Sequence, residues 1–115
     1  MNNIQLQEKL NKVVERLKPY RPERIILYGS YARGDAREDS DLDLLIVKKT
    51  KKPYFDRISD IQRLLYKKEY YFNSEEFIKG LDPIVYTPKE IKKRRTLGDF
   101  FVRRILSEGK IIYER

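Results

Sequence analysis

The sequence predicts an α/β fold: a compact sheet of about four strands with helices packed on it. Two observations carry that expectation. Short apolar, β-branched runs ("RIILYG", "DLDLLIV", "PIVYT", "KIIYE") recur along the chain, each bounded by turn residues or charge. Between them lie stretches whose apolar residues repeat at helical spacing. Strands alternating with helices specify a sheet that buries its faces under those helices. At 115 residues the chain has room for one domain, residues 1–115, with one core.

The elements follow in order. Leu6, Leu10, Val13, Val14 and Leu17 form one stripe of an amphipathic helix, which Pro19 and Pro22 end. Residues 24 to 29, "RIILYG", read as a strand stopped by glycine. "SYARG" reads as one helical turn closed by Gly34. Residues 41 to 47, "DLDLLIV", are a second strand, alternating at first and then continuously apolar, as if its far end were buried on both faces. After the basic loop "KKTKKP", a helix is expected from about Asp56 to Tyr71, with Ile58, Ile61 and Leu65 inward. Residues 83 to 87, "PIVYT", are a third strand. Thr87, Pro88 and Glu90 then give a hydroxyl cap, a proline at the first position and a glutamate at the third, a strong helix start. The helical region through Ile91, Leu97, Phe101 and Ile105 should break near Gly98. Gly109 closes it ahead of a last strand, residues 110 to 114.

Composition narrows the chemistry. The chain has no cysteine and no histidine, which excludes disulfides, a thiolate nucleophile, a cysteine-ligated zinc site and an imidazole base. Any catalysis must use carboxylates, hydroxyls, lysines, arginines and hard cations. Lys and Arg number 26 against 18 Asp and Glu, a formal charge of +8, so an acidic partner is expected: nucleotide phosphates, nucleic acid or an acidic protein surface. No apolar stretch approaches the roughly 20 residues that span a bilayer. The start of the chain is already a helix pattern rather than a secretory leader, so a cytoplasmic protein with no membrane partner is expected.

Against that positive background, residues 28 to 47, "YGSYARGDAREDSDLDLLIV", concentrate Asp35, Glu38, Asp39, Asp41 and Asp43. Asp41 and Asp43 are two apart on the predicted strand, which puts both carboxylates on one face with Cα atoms roughly 6.5 Å apart. Like charges so close repel unless a cation neutralises them. Oxygen-only ligands favour Mg²⁺ or Mn²⁺, and the pair could reach one such ion or two close ones. An isolated D-x-D is most often an exposed strand start, and Gly-Ser alone is usually just a turn. Gly29-Ser30 stands at a fixed distance before the pair, and it is this spacing that carries information. A glycine lets a phosphate approach the backbone, while the serine hydroxyl and the helix start supply donors. Asp35, Glu38 and Asp39 read as solvated loop.

"GSYARGDAREDSDLDLLIV" resembles the G-S-x10-D-x-D signature of the DNA polymerase β-type nucleotidyltransferase superfamily. The short chain is similar to its minimal nucleotidyltransferase branch, many members of which are antitoxins partnering HEPN-domain toxins. "LDPIVYTPKEI" and "FFVRRILSEGKIIYER" extend the likeness over nearly the whole chain. The resemblance implies the nucleotidyltransferase fold, with a small mixed sheet flanked by helices. It implies that Gly29 and Ser30 hold a nucleoside triphosphate, and that Asp41 and Asp43 bind two catalytic Mg²⁺ ions. It also implies a third carboxylate on a later strand, for which Asp82 is the match. The expected reaction joins a nucleoside monophosphate, AMP from ATP, to a hydroxyl and releases pyrophosphate. Arg33 and Arg37 are left outside this site as solvated positions.

Superfamily members that tail RNA or modify antibiotics carry an extra domain for the acceptor. Here the recognisable core consumes the chain, so the acceptor surface is expected from a partner protein, a second subunit or nucleic acid. The favoured expectation is an antitoxin that modifies a HEPN toxin. Two alternatives stay open: a non-catalytic nucleotide-binding antitoxin that blocks by contact, and transfer to RNA or DNA guided by "KKTKK" and by "KKRR" at 92 to 95.

Overall fold

The computed structural model describes residues 1–66 and 80–115. Helix α1, Asn3–Leu17, is set by a reciprocal cap: Asn2 accepts from the Gln5 amide at 2.8 Å, and Gln5 accepts from the Asn2 amide at 3.0 Å. A 3-10 turn, Lys18–Tyr20, carries Pro19 and hands the chain to strand β1, Arg24–Tyr28. The short helix α2, Ser30–Arg33, and its Gly34 cap fall where "SYARG" predicts. Strand β2 is Leu42–Val47, and helix α3 is Tyr54–Leu65. That helix begins two residues earlier than its apolar stripe suggests, because Pro53 stands extended at the N-cap and the chain coils directly after it. The expected turns from residue 67 to Tyr71 lie outside the described residues.

Strand β3, Leu81–Tyr86, also starts two residues early. Proline was read as the strand's first residue, yet Pro83 sits inside it. Among the described residues strand β3 is an edge strand with one neighbour, so a missing N–H is tolerated there. Helix α4, Pro88–Thr96, has the predicted Thr87–Glu90 capping box. The break falls at Gly98, and Asp99 then caps helix α5, Phe100–Glu108, by accepting from the Val102 amide at 3.1 Å. Strand β4, Lys110–Glu114, follows. Gly109 is required for a reason the sequence does not advertise. Its φ is an ordinary −69°, but a Cβ would collide with the Ile105 carbonyl and Ile26 Cγ2.

The sheet order is β3-β2-β1-β4, with β1 antiparallel to β2 and β4, and β2 parallel to β3. One face buries Ile25, Leu27, Leu42, Leu44 and Ile46 against Leu10, Val13 and Leu17 of α1 and Ile61 and Leu65 of α3. The other buries Ile26, Leu45 and Val47 against Ile91, Val102 and Ile105 of α4 and α5. Central β2 is therefore covered on both faces, which explains its unbroken "LLIV". Among the described residues no helix is long and apolar enough to cross a membrane.

Buried Arg57 ties two layers to the sheet edge. It donates to the Lys52 carbonyl at 2.8 Å, the Val85 carbonyl at 3.3 Å and Glu90 Oε1 at 2.6 Å. The same Glu90 oxygen accepts from the Thr87 amide at 2.8 Å, so one carboxylate caps α4 and anchors α3. Arg57→Met should lower the unfolding free energy by about 2 kcal/mol, since two carbonyls lose their donor in a dry site. Urea denaturation measures this; an unchanged midpoint would show that the anchor contributes nothing.

Candidate active site

Three strand ends meet at one edge of the sheet. β1 finishes at Tyr28, whose cross-strand partner on β2 is Asp43, and Asp43 is in turn level with Asp82 on β3. Tyr28 and Asp43 lie on the sheet face that α4 and α5 cover, because Asp43 is two residues from Leu45 in the same layer. Asp82 shares that face, two residues from Ile84. The carboxylates stand beyond the end of the helical cover, and Asp82 is exposed.

Gly29 makes this approach possible. It turns the chain from β1 into α2 at φ +76°, ψ −155°, a conformation open to glycine alone. A Cβ at that position would run into Asp43 Oδ2. Ser30 follows as the first residue of α2. The Gly29 carbonyl accepts from the Ala32 and Arg33 amides at 3.1 and 3.0 Å, which fixes the turn.

The electrostatics are those of crowded like charges. Partial burial, the Asp82 charge, a hydrogen bond with Asp82, and the Asp41 charge together push the Asp43 carboxyl up to about 6; Arg33 opposes them. Tyr28 is also held neutral, first by burial and then by Asp43 and Asp82. Asp41 differs from expectation. It lies one residue ahead of β2 rather than in it, and its carboxylate turns toward Gly80, where an added Cβ would stand 3.6 Å from Oδ1. Asp43 and Asp82 are thus brought together, and Asp41, one step along the strands beside Gly80, is close enough for its charge to act on Asp43. Among the described residues no three acidic side chains form a ready-made cation cluster. The donor set itself, three carboxylates with no nitrogen or sulfur, fits a hard divalent cation.

The sequence reading missed one wall. A cleft of about 140 Å³ opens beside Gly29, lined by Tyr28, Arg33, Phe101, Arg104, Ile105 and Glu108. Phe101 meets Tyr28 edge to face, with centroids 5.8 Å apart. Arg33, set aside as solvated, reaches into the wall. In α5, Phe101, Arg104, Ile105 and Glu108 share one helical face. Two charges on a face that also holds Ile105 were the available signal that this face looks onto something besides core.

Comparison with known proteins gives consistent matches. Residues 7–112 match the family model described as nucleotidyltransferase domain. The chain is 36% identical over 94 residues, 81% of its length and 80% of the relative's, to a protein of Methanocaldococcus jannaschii named "putative protein adenylyltransferase". A second protein of that organism with the same name is 34% identical over 79% of this chain and 58% of its own. A crystal structure named "putative nucleotidyltransferase" from Sulfolobus solfataricus superposes with TM-score 0.65 at 23% identity, over 97% of this chain and 83% of that one. A chain in a structure of tri-AMPylated Shewanella oneidensis HEPN toxin with MNT antitoxin gives 0.57 at 16% identity, over 95% and 72%. At those identities the solved structures speak for the fold.

Proposed function

The chain belongs to the nucleotidyltransferase domain family, and from that premise we propose a Mg²⁺-dependent transfer of AMP from ATP to a hydroxyl on a partner protein. The observation that carries the reading is the pairing of Asp43 with Asp82, two carboxylates from parallel strands, beside the bare backbone of Gly29. Gly29 admits the triphosphate to the main chain, and the Ser30 hydroxyl donates to it. Asp41, Asp43 and Asp82 would hold two Mg²⁺ ions, which when bound lower the acceptor's pKa and neutralise the departing pyrophosphate. Asp82, exposed at the start of β3, faces the acceptor, orients its hydroxyl and takes its proton. The balance is ATP plus acceptor-OH giving AMP–O–acceptor plus pyrophosphate.

The partner proposed is a HEPN-type toxin in the cytoplasm. The adenylyltransferase names of the sequence relatives support a protein acceptor. The AMPylated HEPN toxin in the Shewanella structure supports the toxin. The test is incubation with labelled ATP and Mg²⁺, alone and with the protein encoded beside this one, followed by intact mass. One or more AMP adducts on the partner are expected. Extended RNA would move the acceptor to nucleic acid, and a tight complex with no product would replace catalysis by contact inhibition.

A further inference from the structure

The cleft beside Gly29 already contains an anion held by two guanidiniums. Glu108 Oε2 accepts from Arg33 at 3.4 Å, and Glu108 Oε1 accepts from Arg104 Nε at 3.3 Å. Arg33 Nε is aimed in turn by Asp35 at 3.3 Å. α2 and α5 are therefore joined across the cleft mouth by a single carboxylate. Both bonds are long beside the roughly 2.7–2.9 Å of a well-formed charged pair. Arg104 is 67% exposed at its side chain, so nothing locks it to Glu108. A loosely held internal anion between two arginines marks a place where a stronger external anion binds. At about 140 Å³ the cleft has room for several waters. That suits a diphosphate-sized group.

We propose that α5 completes the substrate site: Arg104, with Arg33, binds the terminal phosphates that leave as pyrophosphate, and Glu108 is the counter-ion they displace. This rests on the nucleotidyl-transfer reading above, to which it adds a wall from the far end of the chain. The forked guanidiniums match phosphate oxygens in a way Glu108, reaching each with one oxygen, does not. With pyrophosphate gone, Glu108 returns, and the exchange gives the product a route out.

The test is titration of the full chain with inorganic pyrophosphate in EDTA, where no metal ion contributes to binding, beside ATP with Mg²⁺. Arg104→Gln should weaken pyrophosphate binding about tenfold, and Arg104→Lys should restore part of it. Glu108→Gln should tighten binding, because the competitor is gone. Arg104→Gln matching the unaltered protein, or Glu108→Gln weakening binding, overturns the proposal while ATP binding leaves the transfer reading intact. Failure of the unaltered protein to bind either ligand overturns both. Thermal unfolding of the three variants checks that the fold is unchanged.

Discussion

Gly29→Ala is expected to abolish nucleotide binding and to destabilise the fold. The strained backbone alone costs about 1–3 kcal/mol, since φ +76° with ψ −155° is closed to an L side chain. The second effect is local: the new methyl takes the space of Asp43 Oδ2, so the carboxylate must leave its position level with Asp82. Gly34→Ala separates the two. Gly34 also has a positive φ, +87°, but no atom stands within 4 Å of a Cβ there. It should lose stability while keeping ATP affinity. Urea unfolding and ATP titration of both variants provide the comparison; equal ATP binding by Gly29→Ala and the parent would show that the Gly29–Asp43 contact has no part in the site.

Asp43→Asn should separate stability from activity. Transfer should fall about 10²- to 10³-fold or more, as when one electrostatic support of a transition state is removed. Stability should move the other way. The Asp43 carboxyl titrates at about 6 in the folded chain against 3.8 unfolded, so the folded state holds its proton more tightly. That contribution is complete below 3.8 and is lost as pH rises through 6. At pH 8 the ionised side chain therefore works against the fold, and the asparagine variant should melt higher. The difference should shrink through pH 6 and vanish by about pH 4. Added Mg²⁺ should raise the parent's Tm at pH 8 and the variant's much less. A lower Tm for the variant at pH 8 would show that the carboxylates are not in conflict. Full transfer by the Asp41→Asn/Asp43→Asn double variant would remove both residues from the site.

The sheet, the helix stripes and the Thr87–Glu90 cap were legible in the sequence because each is written in neighbouring residues. The misplaced starts have different causes: Pro83 reads as the first residue of β3 but lies inside it, whereas the apolar stripe of α3 starts later than the helix that Pro53 opens. Pro83 sits within an edge strand and Pro53 ahead of a helix, and only tertiary position decides between those roles. Gly29, Ser30 and Asp43 could be read together because they share one local unit. Arg33, Arg104 and Glu108 could not. Arg33 and Glu108 are 75 positions apart, and nothing local records that α5 folds back over the β1–α2 turn.

The same difference in sequence distance orders the site in time. Gly29, Ser30, Asp41 and Asp43 come together when β1 closes on β2 antiparallel across one short connection. Asp82 reaches them only through a parallel crossover that includes all of α3. Loop-closure entropy favours the short closure first. Among the described residues β3 and β4 each pair on one side only, whereas β1 and β2 are flanked on both, so local opening starts at the edges and reaches the β1–β2 pair last. On the proposed reading the residues that hold the nucleotide therefore sit on the most persistent part of the sheet. On the same reading Asp82 stands on an edge strand, so fraying of β3 would disengage the transfer step while Gly29 and Ser30 keep their place.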